Sequence, residues 1–177
     1  LTGPLAGSDA TAMPDTGVVC KGKYKGKDVL GIKINFNKRY ITLAPIASLV
    51  GLAFRLNDPD HLIGETDEYG ITCALIPRKT RGMTIGRRHL PIGDAFLNGP
   101  ILGKNVFIPL DNIIGGVENA GKGWRMLVNC LSVGRCITLP SGSNACAQQM
   151  VLGTTAYASL RKQFGIPIKK FEGVQKP

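Results

Sequence analysis

Histidine, tryptophan and glutamate are scarce in this 177-residue sequence, which has two histidines, one tryptophan and only four glutamates, Glu65, Glu68, Glu118 and Glu172. His61 and His89 are the only nitrogen ligands available to Cys20, Cys73, Cys130, Cys136 and Cys146, and there is no CxxC. That spacing fits neither a zinc site nor a disulfide framework. Thiols with small neighbours, as in Thr72-Cys73-Ala74, read as small buried hydrophobes rather than nucleophiles. An odd set of free cysteines implies a reducing compartment, hence a cytoplasmic location. No apolar run reaches the roughly 20 residues of a bilayer span. The longest, Ile41 to Phe54, is broken by Thr42, Pro45 and Ser48, which excludes a transmembrane helix. GxxxxGK[ST] and a strand followed by GxGxxG are both absent, so neither a P-loop nor a Rossmann site is supported. The missing RNP, KH and zinc-finger signatures argue against nucleic acid as a partner. With no initiator Met, basic n-region or cleavage pattern at Leu1, the sequence reads as a fragment of a longer protein.

What is present suits a packed core: 44% of the residues are apolar, with 23 Gly and 11 Pro as punctuation. From about residue 16 to 110 the texture is strand-like. Leu30, Ile32, Ile34 and Phe36 alternate with Val29, Gly31, Lys33 and Asn35, and a Lys25-Gly26-Lys27-Asp28 turn precedes them. Further strands are expected at Ser48 to Leu56, Gly70 to Ile76, Met83 to Arg88 and Lys104 to Leu110. Turns are expected at Asn57 to Asp60, Pro77 to Gly82 and Asn98-Gly99-Pro100. This is the pattern of an antiparallel sandwich or barrel. After Gly115-Gly116 the turn residues thin out, and Trp124, Leu127 and Leu131 fall at helical spacing. Pro140 and Ser141-Gly142-Ser143 are expected to kink or interrupt that helix. A second helix is expected from about Asn144 to Gln163, with an apolar face of Cys146, Met150, Gly153, Tyr157 and Leu160 and a stop at Gly165 and Pro167. The expected organisation is a β domain at 1–114 followed by the first helices of an incomplete helical bundle at 115–177.

Net charge is +10, and residues 120–177 carry eight Lys and Arg against the single Glu172. That third attracts anions, nucleotide phosphates being a better match than a duplex, unless an acidic remainder of the protein balances it. The opening Leu1-Thr2-Gly3-Pro4-Leu5-Ala6-Gly7-Ser8-Asp9-Ala10 is a polar loop whose hydroxyls and backbone amides suit phosphate or heterocycle oxygens, or form a plain turn. Gly121-x-Gly123 either presents amides to an anion or simply starts a helix.

Taken together these segments resemble the acyl-CoA dehydrogenase family, and within it the large bacterial enzyme of fatty-acid β-oxidation. Leu1 to Asp9 is similar to the family's T-E-P-x-A-G-S-D loop, Tyr40-Ile41-Thr42 to its W-I-T element, and Arg161-Lys162-Gln163-Phe164-Gly165 to its R-x-x-F-G. Asn112 to Gly115 and Gly121 to Trp124 resemble its V-x-G-x-x-G-x-G-[FW] link from middle domain to bundle. The resemblance implies FAD as cofactor. It implies Thr2 at the isoalloxazine edge, Ser8 at a phosphate or the substrate thioester, Tyr40 over one flavin face and the Thr42 hydroxyl near flavin N5. Arg161 and Phe164 would reach the FAD of a neighbouring subunit, Arg161 supplying charge to the pyrophosphate. Arg135 is either an arginine near the substrate nucleotide or a salt-bridged helix residue.

The implied reaction takes the α-proton with a carboxylate and passes a β-hydride to flavin N5, giving a trans-2-enoyl-CoA from a fatty acyl-CoA. The resemblance further implies electron-transfer flavoprotein as partner, a homo-oligomer when full length, and a cytoplasmic location with peripheral attachment at the inner membrane. None of the four glutamates sits where burial would raise its pKa, so the base is expected beyond residue 177 and the fragment is expected to be inactive. Gly3 replaces the motif's Glu, Tyr40 replaces Trp, and Leu43-Ala44-Pro45 replaces Asn-Gly-Gly, marking a divergent branch. Acyl-CoA oxidase or flavin monooxygenase chemistry of the same superfamily is one alternative. A non-catalytic anion- or nucleic-acid-binding module is another.

Overall fold

The computed structural model describes residues 1–176. Six strands form one sheet: β1 (Thr16–Tyr24), β2 (Lys27–Thr42), β3 (Leu49–Asn57), β4 (Glu68–Pro77), β5 (Met83–Ile85) and β6 (Asn98–Pro109), in the order β4-β3-β1-β2-β6-β5. Lys25 and Gly26, at φ 50° and 82°, close the β1–β2 hairpin, both central residues having the positive φ that a type I′ turn requires. The sheet is mixed rather than wholly antiparallel. The β2–β3 connection carries the chain past β1, so β3 pairs with β1 in parallel through Thr16↔Arg55 to Val18↔Asn57.

Along β2 the alternation expected from sequence is met from Ile32 onward, with Ile32, Ile34 and Phe36 buried and Lys33 and Asn35 exposed, but not at its start, where Leu30 is exposed and Gly31 is buried. These side chains pack with Val19, Leu52, Phe54, Leu56, Ala74, Ile76, Val106 and Ile108 into the main core. Burying each large side chain there contributes roughly 1.5–3 kcal/mol. Phe54 lies so close to β1 that a Cβ at Gly17 would fall 2.5 Å from its ring. The Asn57 to Asp60 turn is closed by buried Asp58, whose carboxylate accepts from the amides of Leu62 at 3.0 Å and Ile63 at 2.8 Å.

Two strand boundaries differ from the sequence expectation. Asn98-Gly99-Pro100 opens β6 instead of forming a turn, because Pro100 lies opposite the β2 irregularity between Lys38 and Ile41, where the ladder does not need its missing N–H. Of Met83 to Arg88, only Met83–Ile85 pairs as a strand.

The chain divides into two compact units, Leu1–Leu127 and Val128–Pro177. Helix α1 (Gly123–Leu160) runs without interruption through Pro140, contrary to the expected break. Proline frees the carbonyl four residues earlier, and that residue, Cys136, is exposed, so water can satisfy it. The helix ends at Leu160 rather than Gln163. Lys162–Gln163 (β7) and Ile166–Pro167 (β8) then make a small hairpin, in which Phe164 and Gly165, at φ 50° and 79°, form the turn and not a helix stop. A short helix α2 (Glu172–Gln175) follows. Cys73 is buried as expected, whereas Cys130, Cys136 and Cys146 on α1 are exposed.

Candidate cofactor site

The N-terminal loop is shaped by local hydrogen bonds. The Gly3 amide donates to the Ala6 carbonyl at 2.9 Å. Asp9 caps a 3-10 turn at Ala10–Ala12, its carboxylate accepting from the Thr11 amide at 3.1 Å and hydroxyl at 2.6 Å. The Thr11 hydroxyl bond holds the Asp9 carboxyl below its ordinary range, with the Thr11 and Ala12 amides and Arg55 adding to the effect. Arg55 straps the loop to β3 by donating to the carbonyls of Met13 at 3.2 Å and Thr11 at 2.6 Å.

Beneath the loop lies a buried ion pair. Lys38 extends the inward series Ile32, Ile34, Phe36, and its Nζ donates to Asp15 Oδ2 and, at 3.2 Å, to the Leu1 carbonyl. The other Asp15 oxygen accepts from the Asn37 amide at 2.7 Å. One fully desolvated lysine thereby ties the first residue of the loop to β2.

Four of the expected residues are in this unit. The Thr2 carbonyl accepts from the Arg39 amide at 2.9 Å, which sets the loop beside β2 three residues before Thr42. Ser8 is exposed on the loop. Tyr40 falls in the β2 irregularity with φ 55°, a backbone state that a bulge accommodates and that turns its ring outward. The ring is 52% exposed, packs on His89 with centroids 4.5 Å apart, and has the Arg39 guanidinium 5.6 Å from its centroid. Thr42 is the exposed last residue of β2, paired with Asn98. The turn after it is fixed by the Leu43 amide donating to Leu97 at 2.7 Å and by Arg78 donating to the carbonyls of Ala44 and Ala47 at 3.0 and 3.1 Å.

Next to these lie two residues that the sequence did not assign to this site, His89 and Asn98. His89 Nε2 and Asn98 Oδ1 are buried without a hydrogen-bond partner, and the His89 amide donates to the Asn98 carbonyl at 3.0 Å. An unpaired buried polar atom costs about 1–3 kcal/mol, so a group that paired with either would bind the more tightly. Only the inward position of Lys38 could have been found in advance, by continuing the period-2 series one step.

Gly121-x-Gly123 proves to be a packed helix start. The Gly121 amide donates to the Thr72 hydroxyl at 2.9 Å and is spent on β4, and a Cβ at Gly123 would lie 2.7 Å from the Ile71 carbonyl oxygen, so the helix start is packed against that strand. Cys73 beside them has its thiol pKa pushed up by burial. All four glutamates are exposed.

In the second unit, Arg135 is exposed on α1 and belongs to none of the ion pairs found among the described residues. Arg161 is exposed just after α1, its amide donating to Tyr157 at 2.8 Å. Phe164 is 94% exposed at the hairpin turn, edge-on to Phe171 at 6.2 Å.

No family model matches the chain. It is 55% identical over 104 residues to Protein HemX of Proteus mirabilis, covering 59% of this chain and 61% of that protein. It is 33% identical over 171 residues to the short/branched chain specific acyl-CoA dehydrogenase of Bos taurus mitochondria, covering 96% of this chain and 35% of that one. Among solved structures, the FAD complex of PigA aligns over 98% of this chain and 41% of its own, with a TM-score of 0.67 and 29% identity. The acyl-CoA dehydrogenase of Geobacillus kaustophilus aligns over 98% of this chain and 42% of its own, with a TM-score of 0.71 and 26% identity. The chain is similar along most of its length to members of the acyl-CoA dehydrogenase superfamily and spans less than two thirds of each of these relatives. No one subfamily is favoured.

The residues of the first unit fit a flavin. An outward aromatic ring offers a stacking face, Thr42 an exposed hydroxyl, and His89 and Asn98 two unpaired polar atoms at the same end of the sheet.

Proposed function

We propose that this chain is the flavin-holding part of an FAD-dependent dehydrogenase that oxidises fatty acyl-CoA to trans-2-enoyl-CoA in β-oxidation. One observation carries most of the proposal: the Thr2–Arg39 backbone bond brings the T-E-P-like loop alongside the strand end that bears Tyr40 and Thr42. FAD, when bound, supplies the acceptor for the substrate's β-hydride. Tyr40 covers one face of the ring, and its unusual backbone state aims it there. The Thr42 hydroxyl donates to the flavin edge near N5, with Thr2 alongside, while Ser8 meets a phosphate or the thioester. Arg161 pairs with the pyrophosphate held by a neighbouring subunit, and Phe164 packs against that same cofactor, which makes a homo-oligomer part of the proposal. Arg135 lies toward the substrate's nucleotide.

The four glutamates are all exposed and none lies in an enclosed site, so the general base is assigned to a carboxylate other than these. The domain division expected at 114, fatty acyl-CoA as substrate, electron-transfer flavoprotein as electron acceptor, and a cytoplasmic, inner-membrane-peripheral location belong to the same proposal. Among the described residues no helix is long and apolar enough to cross a membrane.

The test is a flavin-fluorescence titration of the chain with FAD. Thr42→Val removes one hydroxyl at nearly constant volume and should weaken binding several-fold, by the about 0.5–1.5 kcal/mol of one hydrogen bond, and Thr42→Ser should restore it. Tyr40→Ala should weaken binding more. Affinity unchanged in both Thr42→Val and Tyr40→Ala contradicts the site.

A further inference from the structure

The end of β2 away from Tyr40 and Thr42 carries a second concave surface. A groove of about 880 Å³ lies between the β1–β2 hairpin, the Pro77–Gly82 connection and β6. Its lining includes seven cations, Lys21, Lys23, Lys25, Lys33, Lys79, Arg81 and Lys104, and no acidic residue. All seven side chains are exposed, and none takes part in the ion pairs found among the described residues, which use Lys38, His61 and Lys176 instead. Like charges gathered in a concavity repel one another and focus a positive potential that a multivalent anion would relieve. Lys33 precedes Thr42 by nine positions along β2, on the order of 30 Å at about 3.3 Å per residue, so the groove is not the edge assigned to the flavin.

The groove is built on firm backbone. Its floor holds Phe107, whose ring fills the space left by Gly22, where a Cβ would fall 2.6 Å from it. The rim is tied down by the Lys104 amide donating to Gly82 at 2.9 Å, the Asn105 amide donating to Asn35 Oδ1 at 2.8 Å, and the Thr80 hydroxyl donating to Pro77 at 2.7 Å. Tyr24 is half-buried on the wall, with the Lys25 ammonium 5.4 Å from its ring centroid. The volume falls within the roughly 300–1,000 Å³ of small-ligand sites, and a recess matches a compact ligand better than the plane of a bilayer.

We propose that this groove binds a soluble ligand bearing several adjacent phosphate groups, of the size of a nucleoside triphosphate. Lys33 and Lys104 from the floor strands and Lys79 and Arg81 from the rim would converge on the phosphates, and Tyr24 would offer a ring face to the base.

Isothermal titration of the chain at physiological salt with tripolyphosphate, and separately with ATP, tests this. Saturable binding of both probes is expected, with ATP tighter and affinity falling as salt rises. The double variant Lys33→Glu/Lys104→Glu should lose at least about tenfold, or 1.4 kcal/mol, and the milder Lys33→Gln/Lys104→Gln an intermediate amount, with unchanged circular dichroism. Lys169→Glu/Lys170→Glu, in the second unit, should bind as the parent does. Absence of saturable binding overturns the proposal. So does equal loss in the Lys169/Lys170 variant, or groove-dependent retention of phosphatidylglycerol vesicles or random single-stranded DNA while both soluble probes fail.

Discussion

Two residues around the candidate site, Leu43 and Lys38, occupy positions that their side chains do not favour, a third, Asp9, caps the N-terminal loop, and each makes the site testable. Leu43 sits at φ 59° and is 49% exposed, where the family pattern has Asn, a residue that tolerates the left-handed region. Leu43→Asn should therefore raise stability by about 0.5–1 kcal/mol in chemical denaturation, since little buried area is lost. Lys38 is fully buried against Asp15, so Lys38→Met strands a carboxylate. It should cost about 3–5 kcal/mol and release the N-terminal loop, which limited proteolysis would detect. Asp9 gives the pH dependence. Its folded pKa lies below the unfolded value of about 3.9, so its contribution is complete above that value and is lost as pH falls through the folded pKa. Hydrogen exchange at the Thr11 amide should stay slow between about pH 5 and 7, speed up below about pH 4, and become insensitive to pH in this way in Asp9→Asn once corrected for intrinsic rates. Lys38 was legible because the strand period reaches it. Its partner was not, because Asp15 lies 23 positions away and only folding brings the two together.

At the level of elements, local chemistry and tertiary pairing divide the account between them. The β1–β2 hairpin was legible from Lys25-Gly26, and β3 and β4 from their β-rich runs, because those signals are local. The start of β6 was not, since Asn-Gly-Pro reads as a turn until an irregularity in β2 lies opposite it and excuses the proline. The parallel β1–β3 pairing is likewise a matter of where a connection crosses, which composition does not encode. In α1 the breaker signal at Pro140 was overridden by helical residues on both sides. The helix should hold the residual cost of that proline, so Pro140→Ala should stabilise the second unit by up to about 3 kcal/mol, seen as a higher melting midpoint by circular dichroism. Many of its large apolar side chains are exposed, among them Ile137, Leu139, Met150, Val151, Tyr157 and Leu160, a pattern typical of a helix covered by neighbours on several sides.

Across the whole molecule the charge pattern and the motifs fall in different places. Counting charges along the chain drew attention to residues 120–177, where eight cations meet one acid. A gathering of cations around a concave surface lies instead in the first unit, where three strands, the β1–β2 turn and the β4–β5 connection contribute them from distant stretches of sequence. The motifs proposed to hold a flavin behaved differently. Thr2, Ser8, Tyr40 and Thr42 were legible as short local signatures, and folding sets their segments side by side in the first unit, while Arg135, Arg161 and Phe164 lie on the second. His89 and Asn98, lone residues in no motif, emerged only from their burial without partners. The central claim is that Tyr40 and Thr42 present a flavin to an acyl thioester. The most direct measurement is the flavin absorbance spectrum of the whole protein before and after adding palmitoyl-CoA without an electron acceptor. The account predicts that the oxidised flavin band bleaches, and more slowly in Thr42→Val. A band that stays unchanged with FAD still bound would contradict it.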